Sequence, residues 1–151
     1  MASILVCDDT RSICELLDIA LRKENHRVET VTSGDAAKKK LDSALFDVVI
    51  TDIKMPNTDG IEVLRHARRA SPESAVVLIT AIEDYEAAVQ AVNAGAFSYI
   101  HKGPGLVEEV RVAVNRALEN LNLRRQNFAL RRDAASRNSL DNMIGNSPAI
   151  E

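Results

Sequence analysis

Five short apolar, β-branched runs alternate along the chain with five segments of helical period, and no two runs are joined by a hairpin-length turn. Strands that follow one another through helices must run parallel, because each crossover returns the chain to the same end of the sheet. The pattern therefore implies an α/β fold: a doubly wound, five-stranded parallel sheet with helices on both faces. The strands are expected at Ser3–Cys7, Arg27–Thr32, Val48–Thr51, Ala75–Ile79 and Phe97–His101.

Between them lie helices with readable ends. The first spans Arg11 to Glu24, with Thr10 as N-cap and Ile13, Leu16, Leu17, Ala20 and Leu21 as its apolar face. Ser33-Gly34-Asp35 opens the second, whose apolar face holds Ala37, Leu41 and Leu45. The third starts near Asp59, with Glu62 three residues on as in a capping box, and presents Ile61, Leu64 and either Ala67 or the stem of Arg68. The fourth runs from Glu83 to Asn93, with Gly95 as its C-terminal glycine. A last helix begins near Leu106, after Gly103-Pro104-Gly105, and meets no Gly or Pro before Gly145.

Composition narrows the class. At 151 residues the chain suits one domain with an extension, and with 3% aromatic residues its core must be aliphatic. A net charge of −3 argues against nucleic-acid binding by the whole chain. Cys7 and Cys14 read as buried, reduced thiols. No signal-peptide core and no membrane-length apolar stretch is present, which points to a cytoplasmic protein.

The strand tips carry the chemistry. The first strand ends in Asp8-Asp9, the third in Asp52, the fourth in Thr80 and the fifth in Lys102. With strand order 2-1-3-4-5 the winding reverses between strands one and three, where such sheets bind ligands at their carboxyl ends. Three carboxylates converging there would repel one another unless a hard divalent cation joined them, and Mg²⁺ suits that role. A carboxylate can attack phosphorus to give an acyl phosphate, and Asp52 is the expected acceptor. The transition state wants positive charge and donors, which Lys102 and Thr80 would supply beside the cation. Taken singly, each residue has an ordinary reading as helix cap, turn residue or solvated charge; the set is far harder to explain that way.

These residues resemble the receiver domains of two-component response regulators, which share the flavodoxin-like sheet order. The matching pieces are Ile4-Leu5-Val6-Cys7-Asp8-Asp9, Asp47 to Pro56 with Asp59-Gly60, Val77 to Ala81, and Gly95 to Lys102. The resemblance implies Asp52 as phosphoacceptor, Asp9 as direct Mg²⁺ ligand, Asp8 as a ligand through water, and the Lys54 backbone carbonyl as a further ligand. It implies that Thr80 and Lys102 grip the phosphoryl group and that Tyr99 is the aromatic switch residue. A histidine kinase would be the donor, and a homodimer would form through the fourth helix, fifth strand and last helix. Two positions depart from the pattern: Gly103 stands where the family usually has Pro, and Thr10 where it often has Glu.

Beyond Leu106, residues Val107, Val110, Val114, Ala117, Leu121, Arg124 and Phe128 step by three and four. The first half of this helix is expected to pack on the sheet and the second to pair with its twin. Val110, Val114, Ala117, Leu121 and Phe128 are the expected dimer-linker residues. Arginines 124, 125, 131, 132 and 137 are interleaved with acids and read as a solvated face, not a nucleic-acid contact. Asp141 to Ile150 resembles the opening of the AAA+ domain of NtrC-like, sigma-54-dependent activators. The expected organisation is a receiver domain over 1–120, a helical linker with coiled-coil capacity over 121–137, and the disordered start of a truncated AAA+ domain over 138–151.

The expected function is phosphorylation-dependent switching of a transcriptional regulator's dimer and output, with no enzyme activity beyond self-phosphorylation from small donors and slow autodephosphorylation. The alternative is a Mg²⁺-dependent phosphohydrolase with an aspartyl nucleophile. That class commonly places a second acid two residues after the nucleophile, and this chain has Lys54 there. A dinucleotide-binding module would need a glycine-rich turn after the first strand, which is missing.

Overall fold

The computed structural model describes residues 2–81 and 85–141, and the side chains of residues 124–141 fall outside that description. The elements run β1 (Ser3–Cys7), α1 (Arg11–Arg22), β2 (Arg27–Val31), α2 (Gly34–Ser43), β3 (Val48–Asp52), α3 (Gly60–Ala70), β4 (Ala75–Thr80), α4 (Tyr85–Asn93), β5 (Ser98–His101) and α5 (Leu106–Asp141). All five strands pair in parallel in the order β2-β1-β3-β4-β5. The chain divides into two compact units, Met1–Leu118 and Glu119–Glu151.

The period-two alternation of the strands sorts their side chains onto two faces. Ile4, Val6, Val48, Ile50, Val77, Ile79 and Ile100 pack with Leu17 and Leu21 of α1 and with Leu106, Val110 and Val114 of α5. Leu5, Cys7, Val49, Val76 and Leu78 pack with Ala37 and Leu41 of α2, with Ile61, Val63, Leu64 and Ala67 of α3, and with Ala91 of α4. Two aliphatic layers thus cover a central sheet whose middle strands, β1, β3 and β4, are almost wholly buried.

The helix ends follow local chemistry. Ser33 caps α2 by accepting from the Ala36 amide at 3.1 Å, and Asp59 caps α3 by accepting from the Glu62 amide at 3.0 Å. Gly95 takes φ +96° after α4, a left-handed conformation that favours glycine. Thr10 occupies the N-cap position of α1 but its side chain makes no capping bond. Asp8 Oδ1 instead accepts from the Thr10 amide at 2.8 Å, so the acid at the end of β1 shapes the turn into α1.

Several expectations need correction. Leu16 is 45% exposed, because Cys14, Leu17 and Leu21 form the buried stripe of α1. Leu45 lies past the end of α2 and is 82% exposed. Val63 joins the buried face of α3. Of the expected dimer-linker residues, Val110, Val114 and Ala117 are buried in the core of their own protomer, which agrees with the expected packing of the first half of the helix on the sheet and not with a place in a seam between copies. Leu121, in the second unit, is 4% exposed. The Phe128 side chain lies outside the described residues, as do Glu83 and residues 142–151. The helix extends to Asp141, beyond the linker end expected at 137.

Val114→Ala should therefore act on stability. Removing two buried methyl groups should cost about 2 kcal/mol in urea unfolding. Sedimentation should give an unchanged association state; a lost dimer at unchanged stability would restore the seam reading.

Candidate functional site

The parity that builds the core also builds the site. Asp52 closes β3 on the same side as Val48 and Ile50, Asp8 continues the side of Ile4 and Val6, and Lys102 continues that of Ile100. Register sets their level. Val6 pairs with Ile50 and Cys7 with Thr51, so Asp8 follows beside Asp52. The Lys102 amide donates to the Thr80 carbonyl at 2.6 Å, which ties the residue to the tip of β4. The side chain then crosses to the acids: Nζ lies 2.7 Å from Asp8 Oδ2 and donates to Asp52 Oδ2 at 3.1 Å.

Asp8, Asp52 and Lys102 are all largely shielded from solvent, while Asp9 is exposed at the rim. One carboxylate oxygen from each of Asp8, Asp9 and Asp52 lies within 4.8 Å of the others. Like charges at that separation repel by on the order of 3 kcal/mol per pair at an effective dielectric constant near 20. Two of the three carboxylates, Asp8 and Asp52, share one ammonium and Asp9 does not contact it, so the negative charge is only partly balanced. The Asp52 carboxyl is held above the usual aspartate range, first by burial and then by Asp8, against the opposing pull of Lys102. Burial pulls Lys102 down, but its hydrogen bonds to Asp8 and Asp52 outweigh this and leave it raised, hence charged. Hard oxygen donors on one side with uncompensated negative charge fit a divalent cation.

Thr80 ends β4, 2% exposed, on the face of Leu78. Tyr99 pairs with Leu78 and packs on the same face, half-buried. These two therefore share a face of the sheet, opposite to that of the Asp8–Asp52–Lys102 group. Lys54 is exposed in the loop after β3. Cys7 and Cys14 are free and buried: burial pushes the Cys7 thiol up to about 12 and raises that of Cys14.

The sequence from residue 4 to residue 115 matches the family model of the response regulator receiver domain. The chain belongs to that family. It is 33% identical over 147 residues to the transcriptional regulatory protein ZraR of Klebsiella oxytoca, covering 97% of this chain and 32% of that protein. It is 33% identical over 150 residues to the DNA-binding transcriptional regulator NtrC of Azospirillum brasilense, covering 99% of this chain and 30% of that one. The chain thus spans about a third of the length of these relatives. Among solved structures, the beryllofluoride-activated NtrC4 receiver domain dimer superposes with a TM-score of 0.74 at 30% identity, covering 80% of this chain and 99% of that one. Receiver domains are phosphorylation-dependent signalling modules that bind Mg²⁺ in an acidic pocket, and Asp8, Asp9 and Asp52 form such a pocket here. Among the described residues of this receiver domain, no helix is long and apolar enough to cross a membrane.

Reading the residues did not single out Thr58 or Asp35. Thr58 is buried, and its hydroxyl donates to Asp35 Oδ1 at 2.6 Å. The available signal was glycine placement. A Cβ at Gly34 would lie 2.7 Å from Thr58 Cγ2 and closer still to its carbonyl oxygen. One at Gly60 would lie 2.8 Å from Ile53 Cα and closer still to the Asp52 carbonyl oxygen.

The raised Asp52 carboxyl makes a stability prediction. A folded-state pKa above the unfolded value means that ionised Asp52 costs stability at neutral pH, and that the cost fades as pH falls through the folded pKa. Without Mg²⁺, Asp52→Asn should raise the urea midpoint at pH 7, and the gain should vanish below about pH 4. A variant less stable than the native protein at pH 7 would contradict the reading that ionised Asp52 costs stability.

Proposed function

We propose that Asp52 is the phosphoacceptor of this receiver domain and that the donor is the phosphohistidine of a partner histidine kinase. The observation that carries the reading is the position of Lys102 Nζ, in contact with both Asp8 and Asp52 at the end of the sheet. In the transfer, an Asp52 carboxylate oxygen forms a bond to phosphorus as the phosphorus–nitrogen bond breaks, and the electron pair leaves with the imidazole. Asp52 must be ionised to attack, and the neighbouring ammonium favours that form.

Lys102 lies 3.1 Å from Asp52 Oδ2 and is thus close to any group bonded to that carboxylate. A phosphoryl group adds about −1.5 to −2 charges there, to which Lys102 is the nearby cation. Asp9, Asp52 and the Lys54 carbonyl would hold Mg²⁺ directly and Asp8 through water. When bound, Mg²⁺ supplies charge neutralisation for the phosphoryl oxygens. Thr80 would donate its hydroxyl to the phosphoryl group, and Tyr99, on the same face of the sheet, would follow that movement as the switch residue.

The output surface in this reading is the face of α4, β5 and α5, where a second copy docks. Tyr85 is 84% exposed, Val92 68%, Val112 41% and Phe97 37%, an apolar content that suits a protein contact. The activated NtrC4 receiver domain is a dimer, as this reading requires of its relatives. We assign residues 1–120 to the receiver domain and 121–137 to a linker. Residues 138–151 would lead toward a sigma-54-dependent AAA+ output domain in a cytoplasmic transcriptional regulator. The receiver and linker themselves would have no activity beyond self-phosphorylation from small donors and slow autodephosphorylation. Lys54, two residues after Asp52, counts against the phosphohydrolase alternative, which wants an acid there.

Acetyl phosphate with Mg²⁺ should give one labile phosphoryl adduct by intact-protein mass spectrometry, and Asp52→Asn should abolish it. An adduct that persists in the variant, or none on the native protein, would sink the assignment.

A further inference from the structure

The loop after the acceptor, Ile53 to Asp59, is closed at its base and tethered at its tip. At the base, the Ile53 amide donates to the Ile79 carbonyl at 3.1 Å, and the Gly60 amide to the Ile53 carbonyl at 2.9 Å. Gly60 has no room for a side chain, because the Asp52 backbone passes where its Cβ would be. At the tip, the chain turns through Asn57 at φ +67°, and the Thr58 amide donates to the Pro56 carbonyl at 2.8 Å. Thr58 then meets the N-terminus of α2. Its hydroxyl donates to Asp35 Oδ1 at 2.6 Å, while its backbone lies against Gly34. Midway along, Met55 Sδ lies 3.5 Å from Cys7 Sγ, and that thiol donates to the Ser33 carbonyl at 3.3 Å. One direct link, through Thr58, and one indirect path, through Cys7 of β1, therefore connect this loop to the start of α2.

From these contacts we infer that Thr58, held by Asp35, is a positioning residue for the acidic site: it fixes the loop path that carries the Lys54 carbonyl beside Asp52. The inference rests on the proposed reading of that site. The Thr58 hydroxyl is engaged by Asp35, so its influence on the acids passes through the backbone between itself and Asp52. Three residues separate Thr58 from Lys54, and the Gly60 contact with Asp52 lies two residues beyond it. Losing the hydrogen bond frees the tip while leaving the base closed. The expected consequence is a carbonyl less well directed toward a bound cation. Partners that orient metal ligands without touching the metal typically contribute 10–100-fold in affinity, and a tether acting through backbone belongs at the low end.

The test is a calorimetric titration of Mg²⁺ into the native protein, Thr58→Val, Thr58→Ser and Asp52→Asn at pH 7. Thr58→Val keeps the methyl group against Gly34 and loses the donor; Thr58→Ser keeps the donor. Thr58→Val should weaken Mg²⁺ binding about tenfold, and Thr58→Ser should stay within about twofold of native. A purely structural pair would lower the urea midpoint of Thr58→Val and leave its Mg²⁺ affinity unchanged. That result, or a Thr58→Ser as weak as Thr58→Val, overturns the inference. Asp52→Asn separates the two levels. If it weakens binding while Thr58→Val does not, the positioning role alone fails. If it binds as tightly as native, the reading of the acidic site fails and the positioning role with it.

Discussion

One ammonium group, bridging two buried carboxylates, is the interaction on which this site depends. Lys102 reaches Asp8 at 2.7 Å and Asp52 at 3.1 Å, and all three are largely removed from water. Deleting Lys102 would strand two buried carboxylates, and breaking a buried pair in that way typically costs about 3–5 kcal/mol. The backbone at the sheet's edge is arranged around that contact: Asp8 shapes the entry to α1 through the Thr10 amide, and Lys102 is anchored to β4 by its own amide. The balance is left incomplete, since the third carboxylate, Asp9, has no share in the ammonium contacts. Three carboxylates and one ammonium leave a formal charge of −2, which a divalent cation can offset before a phosphoryl group adds its own negative charge.

Much of this was legible in the residues. The alternation of apolar runs and helical segments reads directly as a parallel sheet, and strand-tip residues read as one edge of it. The acids, Thr80 and Lys102 could be read as one group because strand ends are local and the strand order brings those ends to one edge of the sheet. Parity was equally available: Asp52 has the phase of Val48 and Ile50, and Thr80 that of Leu78. It explains why Lys102 joins the acids while Thr80 and Tyr99 lie on the other face.

What was not legible depended on tertiary contact. The steps of three and four in α5 fit a seam between two helices and equally a stripe that packs on a sheet. Burial decides between them, and Val110, Val114 and Ala117 belong to the core. Leu45 looked like a core residue until α2 ended at Ser43. The Thr58–Asp35 bond joins positions 23 residues apart, and only Gly34 and Gly60, with no room for a Cβ, hint at it in sequence. The loop that carries Lys54 meets α2 at Thr58 as well as the strand that precedes it.

The central claim is that Asp8, Asp9 and Asp52 form one cation site whose charge Lys102 only partly balances. Urea unfolding at increasing Mg²⁺ and constant ionic strength tests it most directly, because a ligand of the folded state raises stability by about 1.4 kcal/mol at tenfold excess over its dissociation constant. The native midpoint should rise with Mg²⁺, and that of Asp9→Asn, altered only at the exposed rim, should rise far less. A native midpoint indifferent to Mg²⁺, or an equal rise in Asp9→Asn, would contradict the account.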